Sequence, residues 1–430
     1  MTRPRKRKSR QQSTARPNHK LPPELLTEIF EYLRGGILIL DEPALESEVP
    51  NAFDDLFSRE KSDLFRVSMV CSVWRKIAVS RIWQKVKFQL DVEREWDELF
   101  KWLIEGGYGI YVRQIYVEYD YDPKRNETAN SLGGKLEGIV EFCKTVPSMH
   151  TLAVRFISTT LDHYINEDLP PVMDGFLLNI AQSCGSVRCV KIHTSGLRGP
   201  KREKNNDTLY LPSVSKVISM MTDTVREIDL MMHVVNQETV EALCDCKRVE
   251  RALVHCCSWS DSPGDFFALL KSWKHLRKLQ IEPPHNTDSS WEDAYTKSLQ
   301  YLSENYGEQL EELWMPLREE DQKLFCDLVE HTPNLKVLAL EGREFYNDGH
   351  FLSVVARTTP NLNYMHLSDF PSISGGDVRV VNWDQLLDVN IMCCEVLENK
   401  SKFFDHVKDT YCPHLNIHIY DKHGKEVETR

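Results

Sequence analysis

The sequence predicts an α/β solenoid, with a parallel sheet on one face and helices on the other, preceded by a small all-α module. Three observations predict it. The pattern hydrophobic-x-x-hydrophobic-x-hydrophobic recurs along residues 91–430, and each occurrence describes a short strand whose alternate side chains enter a core. Amphipathic helical stretches separate the best of these occurrences. Near the amino terminus, by contrast, apolar residues recur at helical spacing.

Composition bounds the rest. The chain has 430 residues, 41% hydrophobic and 27% charged, so it is long enough for a small unit plus an extended array. The longest strongly apolar run, Ile37 to Leu40, is too short to span a bilayer, so no membrane partner is expected. No apolar segment follows the basic amino terminus, which excludes a secretory signal; the expected compartment is the cytoplasm, the nucleus, or both. The twelve cysteines show no framework spacing and read as small buried residues.

Charge is unevenly placed. Residues 1–20 hold eight Lys or Arg and no acid; with −12 for the whole chain, the other 410 residues stand at −20. Residues 1–20 therefore read as a disordered basic tail. Its cluster at residues 3–10, centred on Arg5-Lys6-Arg7-Lys8, is either an import signal or a solvated leader. No aromatic residue interleaves the tail for base stacking, so nucleic acid is not an expected partner.

Residues 21–90 read as the helical module. Leu21-Pro22-Pro23-Glu24 opens a helix with proline in the first turn and an acid at the positive end of the dipole. Leu25, Ile29 and Leu33 follow every four residues, and Gly35-Gly36 stops the helix. A second helix is expected from Ser62-Asp63, with Leu64, Val67, Cys71, Trp74 and Ala78 on one stripe and Val70, Val73 and Ile77 on a flank. Apolar on most of its circumference, it needs cover on two sides. A third short helix from Arg81 to Phe88 would close the bundle.

These residues resemble an F-box. Leu21-Pro22-Pro23-Glu24-Leu25-Leu26 with Ile29-Phe30 and Leu33 is similar to its start. Val70-Cys71-Ser72-Val73-Trp74-Arg75 is similar to its Val-Cys-x-x-Trp centre, and Ile82-Trp83 to its closing Leu-Trp. The acidic stretch 34–61 departs from the family, in which the first two helices lie closer together. The resemblance implies docking on a Skp-type adaptor and, through it, on a cullin. It points to Leu21, Pro22, Leu25, Ile29, Leu33, Leu64, Val70 and Trp74 as adaptor-binding residues. Trp74 and Trp83 also read as core aromatics.

From residue 91 to 430 the hydrophobic triplets run from Val112-Ile115-Val117 to Leu386-Val389-Ile391. A last unit reads either as Cys412-Leu415-Ile417 or as Leu415-Ile417-Ile419. Their spacing is 24–27 residues in the tighter units and up to 38 in the others. Thr332-Pro333-Asn334-Leu335 and Thr359-Pro360-Asn361-Leu362 nearly repeat each other, each behind an amphipathic helix. The region resembles the degenerate leucine-rich repeats that often follow an F-box, which implies a horseshoe-like recognition solenoid.

No catalytic constellation emerges, and neither a cofactor nor a metal is expected. Gly106-Gly107-Tyr108-Gly109 lacks the Lys-Ser/Thr of a phosphate loop and reads as a turn. Cys244-x-Cys246 with His255-Cys256-Cys257 matches no recurrent zinc spacing, so core packing is the simpler reading. Isolated His366 and His418 read as surface or hydrogen-bonded strand residues. Residues between the buried strand positions would face an unidentified protein substrate. Among them are the cations Arg113, Arg155, Arg188, Lys191, Arg277 and Lys278, the acids Glu311, Glu312, Glu341 and Asp388, and the aromatics Tyr116, Trp314 and Tyr364. A basic half and an acidic half are expected, with Arg188, Lys191, Arg277, Lys278, Glu311, Trp314 and Tyr364 the strongest candidates for substrate contact. The function this implies is substrate recognition within an SCF-type ubiquitin ligase. An interaction scaffold outside ubiquitylation is the alternative.

Overall fold

The structure, a computed structural model, describes residues 69–368 apart from 71, 92–94, 123, 126–127, 159–162, 195–196, 199–208, 210, 260–263, 283–288 and 343–349. It also describes residue 370 and strands at 388–392, 416–420 and 426–429. The chain forms two compact units, residues 1–85 and 86–430. The basic tail, the acidic stretch 34–61 and the predicted first helix lie outside the described residues.

In the first unit, residues 69 and 70 form a turn and helix α1 spans Ser72–Ile82. The expected helix running continuously through Val70 is therefore not found. Ala78, the last residue of the predicted stripe, is buried, and so is Ile82 one turn further on.

The second unit is an α/β solenoid. Its first strand, β1 (Lys85–Gln89), replaces the expected third helix. The reason is visible in Lys-Val-Lys-Phe-Gln, whose polar and apolar residues alternate with period two. Helix α2 (Trp96–Glu105) is followed by a turn in which Gly107 adopts φ 65°, which favours glycine, so Gly106-Gly107 does form a turn. Then come β2 (Gln114–Asp120), α3 (Ala129–Cys143), β3 (Thr151–Ile157), β4 (His163–Tyr164) and α4 (Leu169–Ser183). After them lie β5 (Cys189–His193), β6 (Leu197–Arg198), α5 (Ser213–Ser219), β7 (Glu227–Val235) and α6 (Gln237–Asp245). The order continues with β8 (Arg251–Trp259), α7 (Gly264–Ser272), β9 (Lys278–Glu282), α8 (Ser289–Tyr306) and β10 (Glu312–Leu317). Helices α9 (Gln322–Glu330) and α10 (His350–Thr358) flank β11 (Val337–Gly342), and β12 (Tyr364–Ser368), β13 (Asp388–Met392), β14 (Asn416–Tyr420) and β15 (Glu426–Thr429) complete it.

The sheet order is β1-β2-β3-β5-β7-β8-β9-β10-β11-β12-β13-β14-β15, while β4 and β6 pair apart from it. From β2 to β14 every pairing is parallel, and β15 pairs antiparallel with β14. The second and third members of every predicted hydrophobic triplet fall on a strand of this sheet, in the last unit by its second reading. In the last unit Val389 pairs with Ile417 and Ile391 with Ile419, which selects the Leu415-Ile417-Ile419 reading.

The Thr-Pro-Asn-Leu repeat has a local physical cause. Thr332 and Thr359 are buried, and their hydroxyls donate to Val329 O (3.1 Å) and Val355 O (2.7 Å), satisfying carbonyls at the ends of α9 and α10. Asn334 then donates to Glu308 O (2.6 Å) and Asn361 to Pro333 O (2.9 Å), each reaching back one repeat. Leu335 and Leu362 enter the core. In looser repeats Ser186 and Gln309 make the same backward bond, to Met149 O and Lys274 O. Behind the strands, Phe325, Phe351 and Phe370 pack with centroids 6.1 and 5.6 Å apart. Burying each such ring stabilises the fold by about 2–3 kcal/mol.

Candidate recognition surface

In the sheet strands from β2 to β12 one set of alternate side chains, such as Ile115 and Val117 in β2 or Leu338 and Leu340 in β11, is buried in the core. The other set lies on the opposite face, and parallel register aligns it in rows. One row reads Tyr116, Ala153, Lys191, Asp229, Leu253, Gln280, Trp314, Ala339 and His366. The next holds Glu118, Arg155 and His193.

Strands β1–β7 carry two clusters of paired charges on this face. Lys87 pairs with Glu118, and Arg155 lies 3.8 Å from the same carboxylate. Further along, Asp229 accepts from His193 Nε2 at 2.8 Å and lies 3.0 Å from Lys191 Nζ. Burial pulls the Asp229 carboxyl up, but the hydrogen bonds and charges of His193 and Lys191 outweigh it and hold the group at about 2. Burial opposes the charge on Lys191, yet Asp229 leaves its ammonium above the ordinary lysine value. The second cluster centres on His193 and Asp229, which sequence reasoning missed. Only the register brings them together from strands 36 residues apart.

A second stripe lies where the strands begin. Arg113, His150, Arg188, Arg226, Glu250, Arg277, Glu311 and Lys336 occupy equivalent steps, since the carbonyl of each accepts N–H groups from the start of the next strand. On the later strands this stripe is charge-matched. Arg277 pairs with Glu311, which also accepts from Lys336 at 2.9 Å, and Lys278 lies 2.7 Å from Glu312. Burial would raise the Glu311 carboxyl, but Lys336, Arg277 and Lys278 lower it overall. The expected division into a basic and an acidic half is thus corrected here: Arg277 and Lys278 sit beside the acids instead of apart from them. Arg188 is exposed, four register steps from Glu311, and Lys191 is half-buried against Asp229.

The aromatic candidates also take definite places. Trp314 and His366 flank the buried Ala339 in register, and the missing side-chain bulk lets their rings approach to 5.9 Å. His366 is buried, its Nδ1 makes no hydrogen bond among the described residues, and burial lowers its pKa to about 4. The expectation of a surface histidine therefore fails, because strand alternation alone does not reveal what covers a sheet face. Tyr364 is half-buried on β12, one step before Met365.

In the first unit, Val70 is 52% exposed and Met69 72%, while Trp74 is half-buried. Leu21, Pro22, Leu25, Ile29, Leu33 and Leu64 lie outside the described residues. At the end of α6, Cys246 is buried with Sγ 3.4 Å from Ala242 O, and burial pushes its thiol up to about 12. That is the environment of a core thiol, opposite to a thiolate ligand.

Helix and strand alternating through one long parallel sheet, with a register-aligned polar face, define an α/β solenoid of leucine-rich-repeat type. No family model matches the chain, and no curated protein matches it in sequence. Among solved structures the chain is similar to one described as the Rad7 and Elc1 complex in yeast, with TM-score 0.46, 13% identity and 92% of each chain covered.

Proposed function

We propose that this chain is the substrate-recognition subunit of an SCF-type cullin–RING ubiquitin ligase. The first unit docks on a Skp-type adaptor, which links it to the cullin, and the solenoid holds the target protein. The observation that carries the reading is the Val70-Cys71-Ser72-Val73-Trp74-Arg75 segment. It resembles the centre of an F-box, supplies in Ser72–Arg75 the first residues of α1, and belongs to a compact unit separate from the repeats. Met69 and Val70, exposed apolar residues at this motif, support a partner there, because apolar side chains gain from cover that removes them from water. Adaptor contact is assigned to Leu21, Pro22, Leu25, Ile29, Leu33, Leu64, Val70 and Trp74. Substrate contact is assigned to Arg188, Lys191, Arg277, Lys278, Glu311, Trp314 and Tyr364.

In this role the chain contributes no reactive side chain. It raises the local concentration of target lysines near a separately bound conjugating enzyme, and the acceleration comes from proximity. Co-purification with a Skp-type adaptor tests the reading. Capture by the full chain and loss on deleting residues 21–83 is the expected result. Capture that never occurs, or that survives the deletion, leaves instead an interaction scaffold unconnected with ubiquitylation.

A further inference from the structure

We propose that the leading rim of β2, β3 and β5, formed by Arg113, His150 and Arg188, docks an acidic segment of a partner protein; this rests on the solenoid being the recognition surface. The three residues occupy consecutive register steps. Arg113 O accepts from the N–H groups of His150 (2.7 Å) and Thr151 (3.1 Å). His150 O likewise accepts from Arg188 (2.8 Å) and Cys189 (2.9 Å), and Arg188 O from Arg226 (2.7 Å) and Glu227 (2.9 Å). The rim carbonyls are therefore engaged along the stack, and the side chains are what this edge offers a partner.

What singles out these steps is the contrast with their neighbours. Arg226 lies 2.8 Å from Glu250, and Arg277 and Lys336 share Glu311. Arg113 and Arg188 have no carboxylate within ion-pair distance among the described residues. Arg113 is nevertheless held in place, since its Nη1 donates to Ile110 O at 3.3 Å and Val112 O at 3.1 Å. His150, between the two arginines, is exposed and registers their field: burial, then Arg188 and Arg113, lower its pKa.

Spacing selects the ligand. Adjacent strands stand ~4.8 Å apart, so Arg113 and Arg188 are about 10 Å apart along the rim, close to the distance between residues i and i+3 of an extended polyproline II chain, whose three residues per turn put both on one side. An extended segment with acids three residues apart matches both cations, and the intervening backbone passes His150. A long polyanion such as nucleic acid fits less well. The cationic footprint ends at the Arg226–Glu250 pair, and the chain outside its first twenty residues is strongly acidic.

The test uses the full chain and a fluorescein-labelled peptide, Ser-Glu-Ser-Ser-Glu-Ser-Ser-Glu, read by fluorescence anisotropy at low salt. Binding is expected, with affinity falling about fivefold to tenfold in Arg113→Ser and in Arg188→Ser. It should be unchanged in Arg357→Ser, whose guanidinium pairs with Glu330 away from this rim. A peptide that fails to bind, or that binds both rim variants like the parent, overturns the proposal. So does a single-stranded oligonucleotide that binds more tightly and loses affinity in the same variants. Adaptor capture is measured on the same preparations; if it persists while peptide binding fails, only the rim assignment falls.

Discussion

The early repeats, β2 to β7, and the later ones, β8 to β12, solve the same packing problem differently. Early units are 37 or 38 residues apart, carry the extra strands β4 and β6, and connect charges across the sheet face around Asp229. Among the later units, those around β11 and β12 close through Thr-Pro-Asn-Leu turns, and the charges at the strand starts are matched step by step. One half therefore keeps its spare polarity buried and its spare cations at the rim. The other spends its polar groups on holding neighbouring repeats together.

The comparison breaks most sharply under mutation of the two cores. Phe351→Ala should destabilise the later half by about 3–5 kcal/mol, because Phe325 and Phe370 both lose a ring contact. Asp229→Ala should cost about 3 kcal/mol in the early half by leaving His193 and Lys191 facing an uncompensated site. Denaturant melts combined with repeat-resolved hydrogen exchange check both, each change protecting the opposite half.

Acid should separate the halves as well. The folded His366 has a pKa near 4 against an ordinary 6.5, so its share of stability is complete above pH 6.5 and is lost as pH falls towards 4. That share is about 3 kcal/mol, and His366→Leu should flatten the loss. Asp229, at about 2 against 3.8, is likewise depressed; its share of about 2 kcal/mol is complete above pH 4 and is lost only as pH falls towards 2. Trp314 fluorescence should therefore change before exchange protection around β5 and β7 does. The reverse order would invert the contrast.

Smaller effects sharpen the picture. Asn334→Ala and Asn361→Ala should each cost about 1 kcal/mol through the lost bond to the preceding repeat. A double-mutant cycle on the exposed Arg226–Glu250 pair should give a coupling under about 1 kcal/mol.

The strands were legible because alternation and period coincide: a buried parallel strand needs apolar residues two apart, and each repeat must present them at one depth. The last register was ambiguous in sequence because Cys412 and Ile419 are both acceptable core residues, and only pairing with Val389 and Ile391 decides it. Strand β1 escaped notice because it adjoins a helical motif, and Trp83 to Phe88 supports either period over so few residues. For the candidate surface, the residue types were readable but their partners were not. Lys191 could be placed on the face from its position alone, whereas Asp229 and His193 join it only through register. Arg277 was visible as a cation, and Glu311, a whole repeat later, as an acid; no local rule says they meet.

The Asn334 and Asn361 bonds make residues 332–358 an interchangeable cassette. Excising that stretch would set Thr359 where Thr332 stood and bring Asn361 opposite Glu308 O, the carbonyl that Asn334 now uses. Duplicating it would supply a second Asn for the added seam. A chain built this way can change the length of its binding face by whole modules, without redesigning the joints on either side.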